Sequence, residues 1–293
     1  MNSYENCTLC PRVCAIDRTK APGRCGGGAL PKVARAALHH WEEPCISGEN
    51  GSGTVFFSGC NLGCVYCQNR DISRGGTGRE ITVRRLSEIF RELEENGAHN
   101  INLVTPTHYV PSIIEALGLY RPKIPIVYNC GGYESLETLK LLKGYIDIYL
   151  TDIKYFSPEY SLKYSGAKDY FDAAFAAAKA MTLQVGPPEY ENDIMKSGVI
   201  IRHLVLPGLR KDSMVILDRL AELPKESFVL SLMSQYTPNG NLKNFPEIDR
   251  RVTTFEYNSV VNHAVELALT NGYTQDRRSA AEEYTPPFDL TGI

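Results

Sequence analysis

From Gly53 onward the chain alternates short apolar runs with amphipathic stretches, and this alternation confines it to a parallel sheet wrapped by helices. The runs at 54–57, 101–104, 124–128, 146–150, 199–206 and 228–232 read as six strands. The clearest helix begins after Thr82, an N-cap, and sets Val83, Leu86, Ile89, Phe90 and Leu93 on one face before Gly97 stops it. Further helices read at 136–143, 170–181, 213–223 and 255–271. Right-handed crossovers then give either an open doubly wound sheet or a partial barrel, with function gathered at the carboxyl ends of the strands. Those ends carry polar or special-geometry residues: Gly59-Cys60, Thr105-Pro106-Thr107-His108, Asn129-Cys130-Gly131-Gly132, Thr151-Asp152-Ile153-Lys154, Pro207-Gly208 and Met233-Ser234-Gln235-Tyr236.

The first 50 residues differ. They are rich in Cys, Gly and Pro, lack sustained periodicity, and read as a small lobe organised by ligands (residues 1–50) ahead of a barrel with a C-terminal helix (51–293). His39, His40, Glu42 and Glu43 at their junction read as a polar linker. The 43% hydrophobic and 22% charged content is that of a globular protein, and a net charge of -3 argues against a nucleic-acid partner. No apolar run is long enough to span a bilayer and the N-terminus has no signal pattern, so the expectation is a cytoplasmic protein without a membrane partner.

Nine cysteines, an odd number clustered at short spacing, do not suit a secreted disulfide framework. Cys60, Cys64 and Cys67 follow the first strand with C-x3-C-x2-C spacing. Three thiolates leave one iron of a four-iron cubane open, and an open position distinguishes a catalytic centre from a structural one. A structural zinc would need a fourth ligand, and no His or Cys occurs in the next thirty residues. Cys7, Cys10, Cys14 and Cys25, spaced C-x2-C-x3-C-x10-C, suit closed ligation of zinc or of a second iron–sulfur cluster. Cys45 and Cys130 read as buried thiols, with Cys130 the better placed to face a site.

The triad with Tyr66 before its last cysteine resembles the radical S-adenosylmethionine superfamily. Over nearly its whole length (CTLCPRVC, EEPCISG, FFSGCNLGCVYCQN, NLVTPTH, DIYLTDIKY, IIRHLVLPG, LMSQY) the chain resembles the pyruvate formate-lyase activating enzyme-like proteins, near the glycyl-radical activases. The resemblance implies an α/β partial (β/α)6 barrel and a [4Fe-4S] cluster on Cys60, Cys64 and Cys67. It also implies reductive cleavage of S-adenosylmethionine to methionine and a 5′-deoxyadenosyl radical, which takes a hydrogen atom from a substrate. Cofactor contacts would come from the Tyr66 backbone near the adenine, from Asn129 at the third strand end, and from Asp152, Lys154 and Arg202. Where the activating enzymes carry a Gly-Gly-Glu type segment, this chain has Thr105-Pro106-Thr107, whose hydroxyls and carbonyl would have to receive the cofactor amine without a carboxylate. A charge inside the apolar run around Arg202 requires a partner, whereas His203 reads as a structural residue on the opposite face. Implied partners are a low-potential donor such as flavodoxin or ferredoxin and either a protein or a small-molecule substrate. The competing reading is an iron–sulfur electron-transfer or cluster-carrier protein without radical chemistry, which has no need of Asp152, Lys154 and Arg202.

Overall fold

In the computed structural model, which describes residues 4–239, 242–275 and 285–293, six parallel strands follow one another in chain order across one sheet. They are β2 (Ser52–Phe57), β4 (Ile101–Val104), β5 (Ile126–Cys130), β6 (Ile148–Asp152), β8 (Ile194–Leu204) and β9 (Val229–Met233). Each expected strand is present. β5 starts later than expected because Pro125 has no N–H for the ladder, and the Ile126 amide is instead taken by the Asp147 carboxylate at 2.8 Å. β5 and β6 also run past their expected ends to include Asn129, Cys130 and Asp152.

After the one-turn α2 (Arg70–Ser73), the helices on the outer face are α3 (Val83–Glu95), α4 (Val110–Leu119), α5 (Leu136–Leu141), α6 (Pro158–Ser165), α7 (Tyr170–Val185), α8 (Arg210–Leu220) and α9 (Thr254–Glu266). Thr82 caps α3 as expected, accepting from the Arg85 amide at 3.1 Å, and the face of Leu86, Ile89, Phe90 and Leu93 is buried. α4 and α6 were not expected. Each opens on a proline, at Pro111 and Pro158, which reads as a breaker but is tolerated in the first turn, where its missing N–H has no partner to lose. Between helices and sheet lies the main apolar core, including Val55, Phe57, Leu103, Tyr128, Tyr149, Val199 and Leu230.

The sheet does not close. β10 (Gly272–Thr274) extends it in parallel beside β9, while β1 (Lys32–His39) and the short β3 (Arg79–Glu80) extend the other edge antiparallel. The remaining strand, β7 (Glu189–Glu191), is a side hairpin on β8. The architecture is thus an α/β partial (β/α)6 barrel.

β1 went unforeseen because three alanines mute its alternation. It pairs with β2 across the expected boundary at residue 50, with His39 opposite Ser52 at the start of the barrel strands. The chain therefore arrives beneath the barrel, and α1 (Pro44–Ser47) plugs it from below. Cys45 and Ile46 pack in the lumen against Val127, Ile148, Leu150, Met195, Ile200 and Val229. The stretch expected to be a polar linker is thus the barrel floor: Glu43 is buried and Glu42 half-buried, its side chain only 10% exposed beside Arg202.

Candidate active site

The cysteine loop leaves β2 through Gly59, whose φ is +93°. A Cβ at this position would come within 2.5 Å of the Cys25 carbonyl oxygen, so glycine permits the close approach through which the Cys60 amide donates to that carbonyl at 2.9 Å. The N-terminal lobe is in this way tied to the first residue of the triad. The three thiols are half-buried, and each sulfur has its own donor. The Leu62 and Gly63 amides point at Cys60 (3.4 and 3.5 Å), the Ser165 hydroxyl at Cys64 (3.0 Å) and the Ser73 hydroxyl at Cys67 (3.4 Å). Donors aimed at sulfur stabilise thiolate and tune a cluster's potential, so the loop fits a thiolate-ligated iron–sulfur centre. Burial pushes the Cys60 thiol up to about 12 and also raises Cys67, so ligation has to displace protons. Among the described residues no three His, Cys, Asp or Glu side chains converge as a group able to hold a single metal ion.

Asn129, Asp152, Lys154 and Arg202 come together. The register sets Asp152 opposite Arg202 and Arg202 opposite Ser231, and the two-residue period turns Asp152, Arg202 and Ser231 toward the lumen. Arg202 directs its guanidinium at three partners: Nε donates to Asp152 at 2.8 Å, Nη2 to the Asn129 side-chain Oδ1 at 2.6 Å, and Nη1 to Glu42 at 3.3 Å. Lys154 Nζ reaches the other Asp152 oxygen at 2.5 Å. Burial pushes Asp152 up, but Arg202 and Lys154 outweigh it and hold the carboxyl below its ordinary value. Burial works against charge on Arg202 and Lys154 too, and Asp152 raises both above their ordinary values.

Glu42 was missed as a site residue. Its Oε1 accepts from the amides of Asn102 and Asn129, each at 3.2 Å, so with Arg202 it closes a circuit through Asn129, Asp152 and Lys154. The available signal was the pair of acids immediately before Pro44-Cys45-Ile46, but only β1 pairing with β2 shows that it enters the barrel.

The Thr-Pro-Thr segment is built differently from what its sequence suggested. Thr105 has φ +59°, a strained conformation for a β-branched residue, and its amide donates to the Asn129 carbonyl at 2.8 Å. The Thr107 hydroxyl is buried and donates at 2.6 Å to Glu134, which also accepts from Tyr128 at 2.9 Å. Burial pushes Glu134 up to about 7. The Thr107 side chain is therefore committed to this outer network. The Tyr66 ring is buried against Tyr155, Tyr164 and Tyr236, and its hydroxyl pairs with that of Tyr155 at 2.7 Å.

His203 lies on the opposite face of β8 from Arg202, buried, with Nδ1 2.6 Å from the Ile153 carbonyl. Burial lowers it to about 4, which keeps it neutral. Cys45 and Cys130 are buried thiols, but Cys130 turns outward and donates to Thr151 at 3.4 Å rather than facing the lumen. In the lobe, Cys7 and Cys25 are buried, Cys10 is half-buried and Cys14 is exposed. Arg18, 2% exposed, organises this lobe by donating to the carbonyls of Gly27 (2.9 Å), Gly28 (2.6 Å) and His108 (2.5 Å), while its guanidinium lies over the rings of Tyr4 and Tyr109.

A partial barrel with three donor-supported thiols after its first parallel strand and a buried charge circuit at its later strand ends defines a class of cluster-dependent enzymes. Residues 54–221 match the model of the radical SAM superfamily, and the chain belongs to that superfamily. It is similar to an uncharacterised protein of Methanocaldococcus jannaschii, 32% identical over 277 residues, covering 91% of this chain and 75% of that one. It is also similar to the pyruvate formate-lyase-activating enzyme of Listeria monocytogenes, 31% identical over 124 residues, covering 37% of this chain and 49% of the enzyme; the chain thus spans about half the length of that relative. Among solved structures, Streptococcus suis SuiB bound to S-adenosylmethionine shares the fold, with a TM-score of 0.51 at 14% identity over 74% of this chain and 48% of that one. The superfamily implies a [4Fe-4S] cluster and S-adenosylmethionine as cofactors. The chain is a radical SAM protein with a likeness, over part of its length, to a pyruvate formate-lyase-activating enzyme.

Proposed function

We propose that the chain is a hydrogen-abstracting enzyme that holds its cluster on Cys60, Cys64 and Cys67 and its S-adenosylmethionine against Asn129, Asp152, Lys154 and Arg202. The observation that carries this reading is the charge circuit itself. An electron carrier has no use for a guanidinium, an ammonium and two carboxylates paired around one lumen, whereas a zwitterionic, cationic cofactor needs both signs presented in fixed geometry. When bound, the cluster and S-adenosylmethionine supply a one-electron cleavage that yields a 5′-deoxyadenosyl radical. The chain's own part is to fix and shield: Arg202 is oriented by three acceptors, and the aromatic packing of Tyr66, Tyr155 and Tyr164 keeps water from behind the cysteine loop.

Thr105 and the Tyr66 backbone complete the cofactor site in this reading, while Thr107 acts by fixing the segment through Glu134. Cys7, Cys10, Cys14 and Cys25 hold zinc or a second cluster in a lobe that precedes β1. The substrate is a protein glycine, as the partial likeness to an activating enzyme suggests, or a small molecule, and a flavodoxin or ferredoxin supplies the electron in the cytoplasm. Among the described residues no helix is long and apolar enough to cross a membrane. The test is anaerobic reconstitution, reduction, and chromatography of the products. The expected result is 5′-deoxyadenosine from the native chain and none above background from the Cys60→Ala, Cys64→Ala, Cys67→Ala variant. Equal amounts from both would overturn the reading in favour of the electron-carrier alternative.

A further inference from the structure

Beneath Arg202 the lumen contains more acceptors than its own donors fill. Glu42, Glu43 and Asp152 bring three carboxylates to a space with two cations, Arg202 and Lys154. Glu43 is 9% exposed and interacts with Arg202 and the Ser231 hydroxyl, yet its Oε2 is buried with no donor. Asn102 is fully buried, its Nδ2 is committed to Glu42, and its Oδ1 also lacks a donor. A buried acceptor without a partner is destabilising, so two of them in one lumen call for a group that supplies N–H donors. The surplus negative charge adds that this group be a cation. Burial also raises both glutamates, an effect that a cation placed beside them would oppose.

The geometry points to the barrel floor, Glu42, Glu43, Asn102 and Ser231, as the receptor for the ammonium or guanidinium group of a cationic substrate. This rests on the radical reading of the barrel mouth and gives its substrate a chemical class. A primary ammonium offers three donors and a guanidinium five, at least one for each unpartnered oxygen. The plug that supplies the glutamates is fixed by Cys45 and Ile46, so the receptor is rigid. The same carboxylate of Glu42 that orients Arg202 would also sense the substrate cation, linking the two levels of the lumen.

The test uses reconstituted protein and calorimetry with n-butylammonium and n-butylguanidinium, with n-butanol and butyrate as shape controls. The expected result is saturable binding of one or both cations, weakened roughly tenfold or more by Glu43→Gln and by Asn102→Leu, with no comparable binding of either control. Butyrate binding as well as the cations would overturn the proposal, and so would full cation affinity in both variants. If Glu43→Gln weakens S-adenosylmethionine and leaves the amines unchanged, the floor serves the cofactor's own cation and the proposal falls. A second arm reads deuterium in 5′-deoxyadenosine after incubation with perdeuterated n-butylamine, where incorporation lost in Glu43→Gln supports the assignment. Cation binding with no 5′-deoxyadenosine under any condition would remove the radical reading but keep the receptor.

Discussion

Replacing Asp152 with Asn tests whether the charge circuit is a tightly coupled unit. The carboxylate lies 2.8 Å from Arg202 Nε and 2.5 Å from Lys154 Nζ, with side-chain exposures of 12%, 15% and 18% for Asp152, Arg202 and Lys154. Asn keeps the shape and one acceptor but removes the charge. Breaking a buried pair by removing one partner costs about 3–5 kcal/mol. Arg202 retains Glu42 at 3.3 Å, so the stranded charge is chiefly Lys154, and the loss should fall near the lower end, about 3 kcal/mol. Urea unfolding of the anaerobically purified protein at neutral pH measures it. Because the folded carboxyl titrates below its ordinary 3.8, its contribution is present above that value and disappears as pH falls through the depressed one. The gap between native and variant should therefore be full at pH 7 and shrink only in strong acid. Adding Lys154→Met should recover much of the loss, since it removes the unpaired cation. A loss under about 1 kcal/mol at pH 7 would show a solvent-screened cluster of the kind found at surfaces and refute the reasoning.

Three further perturbations follow from particular contacts. Gly59→Ala sets a methyl against the Cys25 carbonyl at a positive φ, so iron bound per chain after reconstitution should fall while helix content by circular dichroism holds. Ser165→Ala removes the hydroxyl 3.0 Å from Cys64 Sγ, and the cluster's midpoint potential, read by EPR-monitored titration, should move to more negative values. Glu256, drawn below its ordinary value chiefly by Arg250, also accepts from the Thr253 and Gly208 amides to close the cap of α9. Glu256→Gln should therefore cost about 1–3 kcal/mol in urea unfolding at pH 7, a difference that disappears as the pH falls below the ordinary carboxylate range.

Much of the barrel was legible because its strands are buried on both faces and its longer helices carry apolar stripes. The triad was legible because its chemistry is local, three thiols in eight residues. What escaped depends on contacts distant in sequence. Glu42 acquires its role only when β1 pairs antiparallel with β2 and delivers the plug under the lumen. Thr107 is turned away by Glu134, twenty-seven residues later in the chain. α4 and α6 were hidden by prolines whose cost depends on their position within the helix. Pairing partners and the depth of a charge are tertiary facts, and neither composition nor periodicity carries them.

The central claim, that three cysteines hold a four-iron cluster with one iron open to S-adenosylmethionine, is tested most directly by EPR of the reduced, reconstituted protein with and without the cofactor. The account predicts a reduced [4Fe-4S] signal, absent from the Cys60, Cys64 and Cys67 alanine variant, whose line shape changes on adding S-adenosylmethionine. It also predicts that Arg202→Met weakens that response. A triad signal that is identical with and without the cofactor would contradict it.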